Sequence, residues 1–112
     1  MTVLSIDKED DIYIVKFNTD VIAGNIHIIK EKINEFLSQN VVKLVFDFKS
    51  VNFMDSSGIG FLVTVLKELS KKNSKLKLCN LNTTVSSTLK QVQLYSFFEI
   101  FDSVDEAVES FY

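Results

Sequence analysis

The chain has 112 residues, of which 46% are hydrophobic and ten are phenylalanine, enough for one domain with a single core and no metal or disulfide staple. The net charge is −3 and all twelve basic residues are lysine, which argues against a nucleic-acid surface and against a phosphate clamp built from arginine. No window approaches ~18 uninterrupted apolar residues, and acids interrupt the first residues, so neither a membrane span nor a signal peptide is expected. Val3–Ile6 reads as a strand, Asp10-Asp11 as a polar turn, and Ile12–Phe17 as a second strand, together a hairpin. Asn18, Thr19 and Asp20 offer N-cap chemistry. After them Ile22, Ile26, Ile29, Ile33, Phe36 and Leu37 keep a helical period to about Ser38, with Lys30, Glu31, Lys32, Asn34 and Glu35 on the opposite, solvated face.

Val42–Phe48 is apolar almost throughout, the pattern of a central strand. A helix is predicted from about Ser57 to Ser70, followed by the polar turn Lys71–Lys75 and a fourth strand, Leu76–Leu81. Thr83 or Thr84 would cap a third helix carrying Val85, Leu89, Val92 and Leu94. Phe97–Phe101 is either a fifth strand or a packed loop. Asp102 or Ser103 would cap a last helix bearing Val104, Ala107, Val108 and Phe111. The order β-β-α-β-α-β-α-(β)-α predicts an α/β fold: one domain over residues 1–112, a mixed four- to five-stranded sheet and about four helices, with right-handed crossovers. Proline, linker composition and internal repeats are all absent. Cys79 sits in the apolar run Leu76–Cys79 and reads as a core hydrophobe. It has no partner for an internal disulfide and no neighbouring cysteine for a metal site, in keeping with a reducing compartment.

The turn between the third strand and the second helix, Asn52-Phe-Met-Asp-Ser-Ser-Gly-Ile-Gly60, concentrates the chemistry. Two hydroxyls, Ser56 and Ser57, stand where a helix start leaves N–H groups unpaired and carries partial positive charge. A serine there can cap the helix, act as a nucleophile or carry a phosphate. Capping needs one serine and leaves Gly58 and Gly60 unexplained; the two glycines would clear the approach for a large partner. Asp55 could accept backbone hydrogen bonds in the turn or orient the Ser57 hydroxyl. Asp20, from local sequence, reads as an N-cap. Phe61 points away from the stripe Ile59, Leu62, Val63, Leu66 and Leu69, which makes it either an exposed contact residue or a ring folded under the next loop.

Other chemistries fit poorly. A nucleophile elbow needs glycine two residues before the serine, and neither serine has one. The sole histidine, His27, lies opposite the apolar stripe of the first helix, where a solvated role is expected. Gly58-Ile-Gly60 begins a dinucleotide fingerprint whose third glycine would fall at Val63, and no Gly-Lys-Ser/Thr exists for a P-loop. Asp47 lies in the third strand, but a receiver domain would need an acidic pair after the first strand, and Asp10-Asp11 precedes the second. No catalytic residue, cofactor or metal ligand is assigned.

The strand, the Met-Asp-Ser-Ser-Gly-Ile-Gly turn and the apolar helix after it resemble the STAS domain, the anti-sigma factor antagonist family of bacteria. The resemblance covers essentially the whole chain. Val15–Asp20 sits where the family has a Gly-Glu-Leu-Asp-like segment, with Phe17 in place of glycine and Thr19 in place of Leu or Ile. Val45–Phe48 matches a Leu-Asp-Leu strand, and Phe97–Ala107 resembles the segment leading into the last helix. The resemblance implies a cytoplasmic binding module, not an enzyme, with Ser57 as phospho-acceptor. Unphosphorylated, it would bind an anti-sigma factor that is also a serine kinase; phosphorylation at Ser57 would switch it off and a serine phosphatase would restore it. Asp20, Asp55, Ser56, Ser57, Gly58, Ile59, Gly60 and Phe61 would line the partner site, without nucleic-acid contact or membrane insertion. One alternative is a scaffold or accessory subunit of a sensor complex or lipid transporter. Another is a small-anion or nucleotide-binding domain using the helix start at Ser56–Gly60.

Overall fold

The computed structural model describes residues 2–38, 40 and 43–112. Strands β1 (Leu4–Glu9) and β2 (Ile12–Phe17) form an antiparallel hairpin whose tight turn places Asp10 in the left-handed region, φ 55°. β3 (Lys43–Asp47), β4 (Lys75–Cys79) and β5 (Glu99–Phe101) then add in parallel, in the order β1-β2-β3-β4-β5. The predicted β3 residue Val42 lies outside the described residues. Helices α1 (Ile26–Leu37), α2 (Ser56–Lys71), α3 (Thr83–Gln91) and α4 (Val104–Glu109) complete the predicted mixed sheet with four helices. The aromatic run after α3 divides into a 3-10 turn over Tyr95–Phe97 and the short edge strand β5.

Strand alternation sorts the core into two layers. Val15, Phe17, Leu44, Phe46, Leu76 and Leu78 face α1, α2 and α3, whereas Ile12, Val45 and Cys79 face α4. Under the start of α2 the larger layer becomes an aromatic cluster. Phe17 stacks on Phe48 at 5.2 Å and meets Phe46 edge-on at 5.0 Å, and Phe61 stacks on Phe46 at 6.1 Å. Offset and edge-on arrangements of this kind suit the ring quadrupoles. Phe17, the residue that departs from the family's glycine, is therefore a core residue here, fully buried.

Two helix starts differ from expectation. α1 begins at Ile26 rather than directly after Asp20, because Asn18–Asn25 forms a knitted loop: the Asn25 side chain accepts from the Ile22 N–H and donates to the Asp20 carbonyl. α3 is capped by Asn82, whose Oδ1 accepts from the Val85 N–H at 2.8 Å, and Thr83 and Thr84 are already helical; the helix stops at Gln91, short of Val92 and Leu94. Ser103 caps α4 as one of the two expected residues. Among the described residues no helix is long and apolar enough to cross a membrane.

Candidate functional site

The site lies where the chain leaves the C-terminal ends of the parallel strands β2, β3 and β4. Three loops meet there and are joined by side-chain-to-backbone hydrogen bonds. From the β2–α1 loop, Asp20 Oδ1 accepts from the N–H groups of Asn52 (2.7 Å) and Phe53 (3.2 Å). From the β3–α2 loop, Asp55 Oδ2 accepts from the Ala23 N–H at 2.9 Å. From the β4–α3 loop, Asn82 Nδ2 donates to the carbonyls of Val51 and Asn52, both at 3.2 Å. An isolated parallel bridge, Val21 to Met54, seals the first two loops against each other over buried side chains.

Asp20 is therefore not an N-cap. Its carboxylate satisfies two donors of the opposite loop, and the expected capping is corrected on that ground. Asp55, by contrast, does cap its helix: Oδ1 accepts from Ser57 N–H (3.0 Å) and Gly58 N–H (3.2 Å). The hydrogen bond from Ala23, followed by those from Gly58 and Ser57, holds the Asp55 carboxyl below its ordinary value. Since Asp55 is the cap, neither serine hydroxyl is needed for capping. Ser56 is exposed and Ser57 half-exposed on the first turn of α2. With two first-turn N–H groups given to Asp55, the helix start is a poor cradle for a free anion.

The glycines divide. A Cβ on Gly58 would lie 2.3 Å from the Val21 carbonyl oxygen and 2.4 Å from Met54 Cγ, so this glycine lets the β2–α1 loop pack directly on α2. It is buried and, contrary to expectation, does not clear an approach from solvent. Gly60 is exposed, with nothing within 4 Å of the position a methyl would take, and fits that description.

Phe61 requires the larger correction. It is neither a solvent-facing ring nor tucked beneath a loop: it is 3% exposed and stacks over Phe46 in the core. The buried face of α2 runs through Gly58, Phe61, Leu62, Val65 and Leu69, while Ile59, Val63 and Leu66 are half-exposed. The exposed aromatic of the site is instead Phe53, 47% exposed, held at the loop tip by the Asp20 hydrogen bond to its N–H. The signal for it lay in the sequence: a phenylalanine between Asn52 and Met54 in a turn segment. The upper surface thus comprises Phe53, Ser56, Ser57, Gly60 and the loop segment Ala23-Gly24. Asp20 and Asp55 lie between its parts as fasteners.

Comparison with known proteins agrees with this architecture. The sequence profile of the STAS domain matches residues 4–107. A Thermotoga maritima protein assigned to the anti-sigma factor antagonists is 29% identical over 101 residues, covering 89% of each chain. The crystal structure of an anti-sigma factor antagonist assigned in Thermotoga maritima superimposes with a TM-score of 0.91 at 27% identity, over 96% of this chain and 92% of that one. The anti-sigma factor antagonist SpoIIAA in its unphosphorylated form shares the fold, with a TM-score of 0.82 at 20% identity, over 96% of this chain and 95% of that one. With the hairpin, the parallel extension and the Asp-Ser-Ser-Gly helix start all in place, the chain belongs to the STAS domain family.

Proposed function

We propose that this protein is a cytoplasmic anti-sigma factor antagonist, a binding module that is not an enzyme. In its unphosphorylated state it binds an anti-sigma factor that is also a serine kinase; that kinase phosphorylates Ser57 and ends the complex, and a serine phosphatase reverses the modification. The observation that carries this reading is the division of labour at the start of α2. Asp55 performs the capping, and the Ser57 hydroxyl stands half-exposed at the head of α2 without that structural duty.

Electrostatics supports a switch in binding more than a switch in fold. A phosphate on Ser57 adds roughly −1.5 to −2 charge next to the Asp55 carboxylate. Free in water, that charge is solvated and the fold persists. Under a partner packed over Phe53, Gly60 and the Ala23-Gly24 loop, it would be buried beside a second anion, at a cost in binding. Phe61 drops out of this surface and Phe53 takes its place as the apolar anchor. The relatives' names support the anti-sigma factor antagonist part of this reading.

The test is the intact mass of the protein isolated from its native host, with fragmentation across residues 51–66. A species heavier by one phosphate at Ser57, absent from Ser57→Ala, is expected. One unmodified species through growth, stress and stationary phase would overturn the switch and leave a constitutive scaffold or transporter subunit.

A further inference from the structure

Away from the phospho-acceptor surface, α2 forms one wall of an open apolar groove of about 560 Å³. Val63 and Leu66 supply that wall, and Leu94, Phe97 and Phe98 of the segment after α3 supply the other. Phe98 is buried as part of the core, but Phe97 is 67% exposed, far more than a ring with a purely structural role requires. Lys67 and Lys71 follow one another at i, i+4 along the rim, with Ser70 between them. Lys71 makes one exposed ion pair with Glu68, at 3.5 Å; Lys67 has no acidic partner among the described residues, and no acid lines the groove.

Volume, lining and charge together select the occupant. The groove falls within the ~300–1,000 Å³ of small-molecule sites, which are mostly apolar with a few placed polar groups. It follows α2 from Val63 to Lys71, ~12 Å at helical rise, which is too short for the ~1,000 Å² expected of a protein interface by itself. An apolar floor with cations along one rim fits a ligand with an apolar body and a single anionic head. We propose that this groove binds a medium-chain amphiphilic carboxylate, its alkyl chain lying against Leu66, Leu94 and Phe97 and its carboxylate meeting Lys67 and Lys71.

The proposal is tested by titrating ¹⁵N-labelled protein with sodium decanoate, 1-decanol and decyltrimethylammonium, each below its micelle concentration. Saturable shifts confined to residues 63–71 and 94–98 are expected with decanoate, with weaker binding of the alcohol and weaker still of the cation. Lys67→Glu/Lys71→Glu should weaken decanoate binding by about tenfold or more while leaving shifts elsewhere in the spectrum unchanged. Phe97→Ser, at an exposed position, should weaken decanoate and decanol alike. No saturable shift with decanoate, equal affinity for the cationic amphiphile, or shifts centred elsewhere would each overturn the proposal. So would an acidic amphipathic peptide that binds the groove when decanoate does not, since that would make it a protein-docking surface.

Discussion

Asp20 and Asp55 each hold the backbone of the other's loop. Asp20 accepts from Asn52 and Phe53, and Asp55 accepts from Ala23, with Asp20 and Asn52, and likewise Ala23 and Asp55, 32 positions apart in sequence. The two carboxylates thus form a crossed clasp, and Asp55 also caps α2. A clasp of this kind fixes Phe53 and Ser57 relative to each other without using either side chain. The surface proposed to meet the partner is therefore set before binding.

The Asp55 carboxylate should make stability fall in acid. Because the folded-state pKa of Asp55 lies below the ordinary value of 3.8, its ionised form favours the folded state. That contribution is complete above the unfolded value and is lost as pH falls through the folded one. Asp55→Asn retains a capping oxygen, but its amide nitrogen cannot accept from Ala23. It should lower the melting temperature at neutral pH and flatten the decline of stability below pH 3.8. Thermal melts from neutral to acid pH check both effects, and an unchanged acid slope would remove Asp55 from the account.

Gly58→Ala and Gly60→Ala should move stability in opposite directions. Alanine favours a helix over glycine by up to ~1 kcal/mol, and Gly60 has open space for the methyl. At Gly58 the methyl meets a backbone carbonyl at 2.3 Å, which cannot rotate aside, so the loop itself must move. A net loss of about 1–3 kcal/mol is expected there. Urea midpoints of the two variants measure the difference.

The element order was legible because it depends on local period: alternation in β2, a continuous apolar run in β3, a 3.6-residue stripe in α1. The backbone hydrogen bonds that Asp55 accepts in the turn were legible for the same reason, since a helix cap and its first turn are neighbours in sequence. Asp20 was not. An aspartate before an apolar helix looks like a cap, and its real partners, Asn52 and Phe53, come together only when the loops fold. Phe61 was misplaced because α2 is apolar over more than one face. The stripe Ile59, Leu62, Val63, Leu66 and Leu69 mixes two faces: Val63 and Leu66 line the groove, whereas Leu62 and Leu69 join Gly58, Phe61 and Val65 in the core. Sequence period alone cannot rank two apolar stripes when one of them has a glycine at its head.

The two aromatics of the site should separate stability from binding. Phe61→Ala removes a ring packed on Phe46 and Phe17, with an expected loss of about 3–5 kcal/mol. Phe53→Ala trims a ring that is 47% exposed and should alter stability by less than about 1 kcal/mol. Its effect should appear in affinity for the anti-sigma factor, as a rise in Kd of about tenfold or more if Phe53 is the anchor. Denaturation followed by binding assays on the same preparations distinguishes the two roles.

Cys79 should be inert while the protein is folded. Burial, and secondarily the neighbouring Asp47 carboxylate, push its thiol up to about 12, so almost no thiolate exists at neutral pH. A disulfide reagent should label it only in denaturant, at a rate matching an ordinary exposed thiol. Fast labelling of the native protein would show that the α4 layer opens readily over Val45 and Cys79.

Charge at Ser57 should act through Asp55. Ser57→Ala deletes a hydroxyl that caps nothing and is expected to change stability by no more than about 0.5 kcal/mol. Ser57→Glu places a carboxylate near the one that caps α2, so it should lower the melting temperature at neutral pH and raise the Asp55 pKa toward its ordinary value. Combining Ser57→Glu with Asp55→Asn removes the repulsion, and the double variant should be more stable than the sum of the single effects predicts. Binding should behave differently. A partner packed over the turn buries the introduced charge whether or not Asp55 is ionised, so the single Ser57→Glu variant and the double variant should both lose affinity. If Asp55→Asn restored binding as well as stability, repulsion between the two acids would be the whole mechanism, and burial of the charge under the partner would contribute nothing.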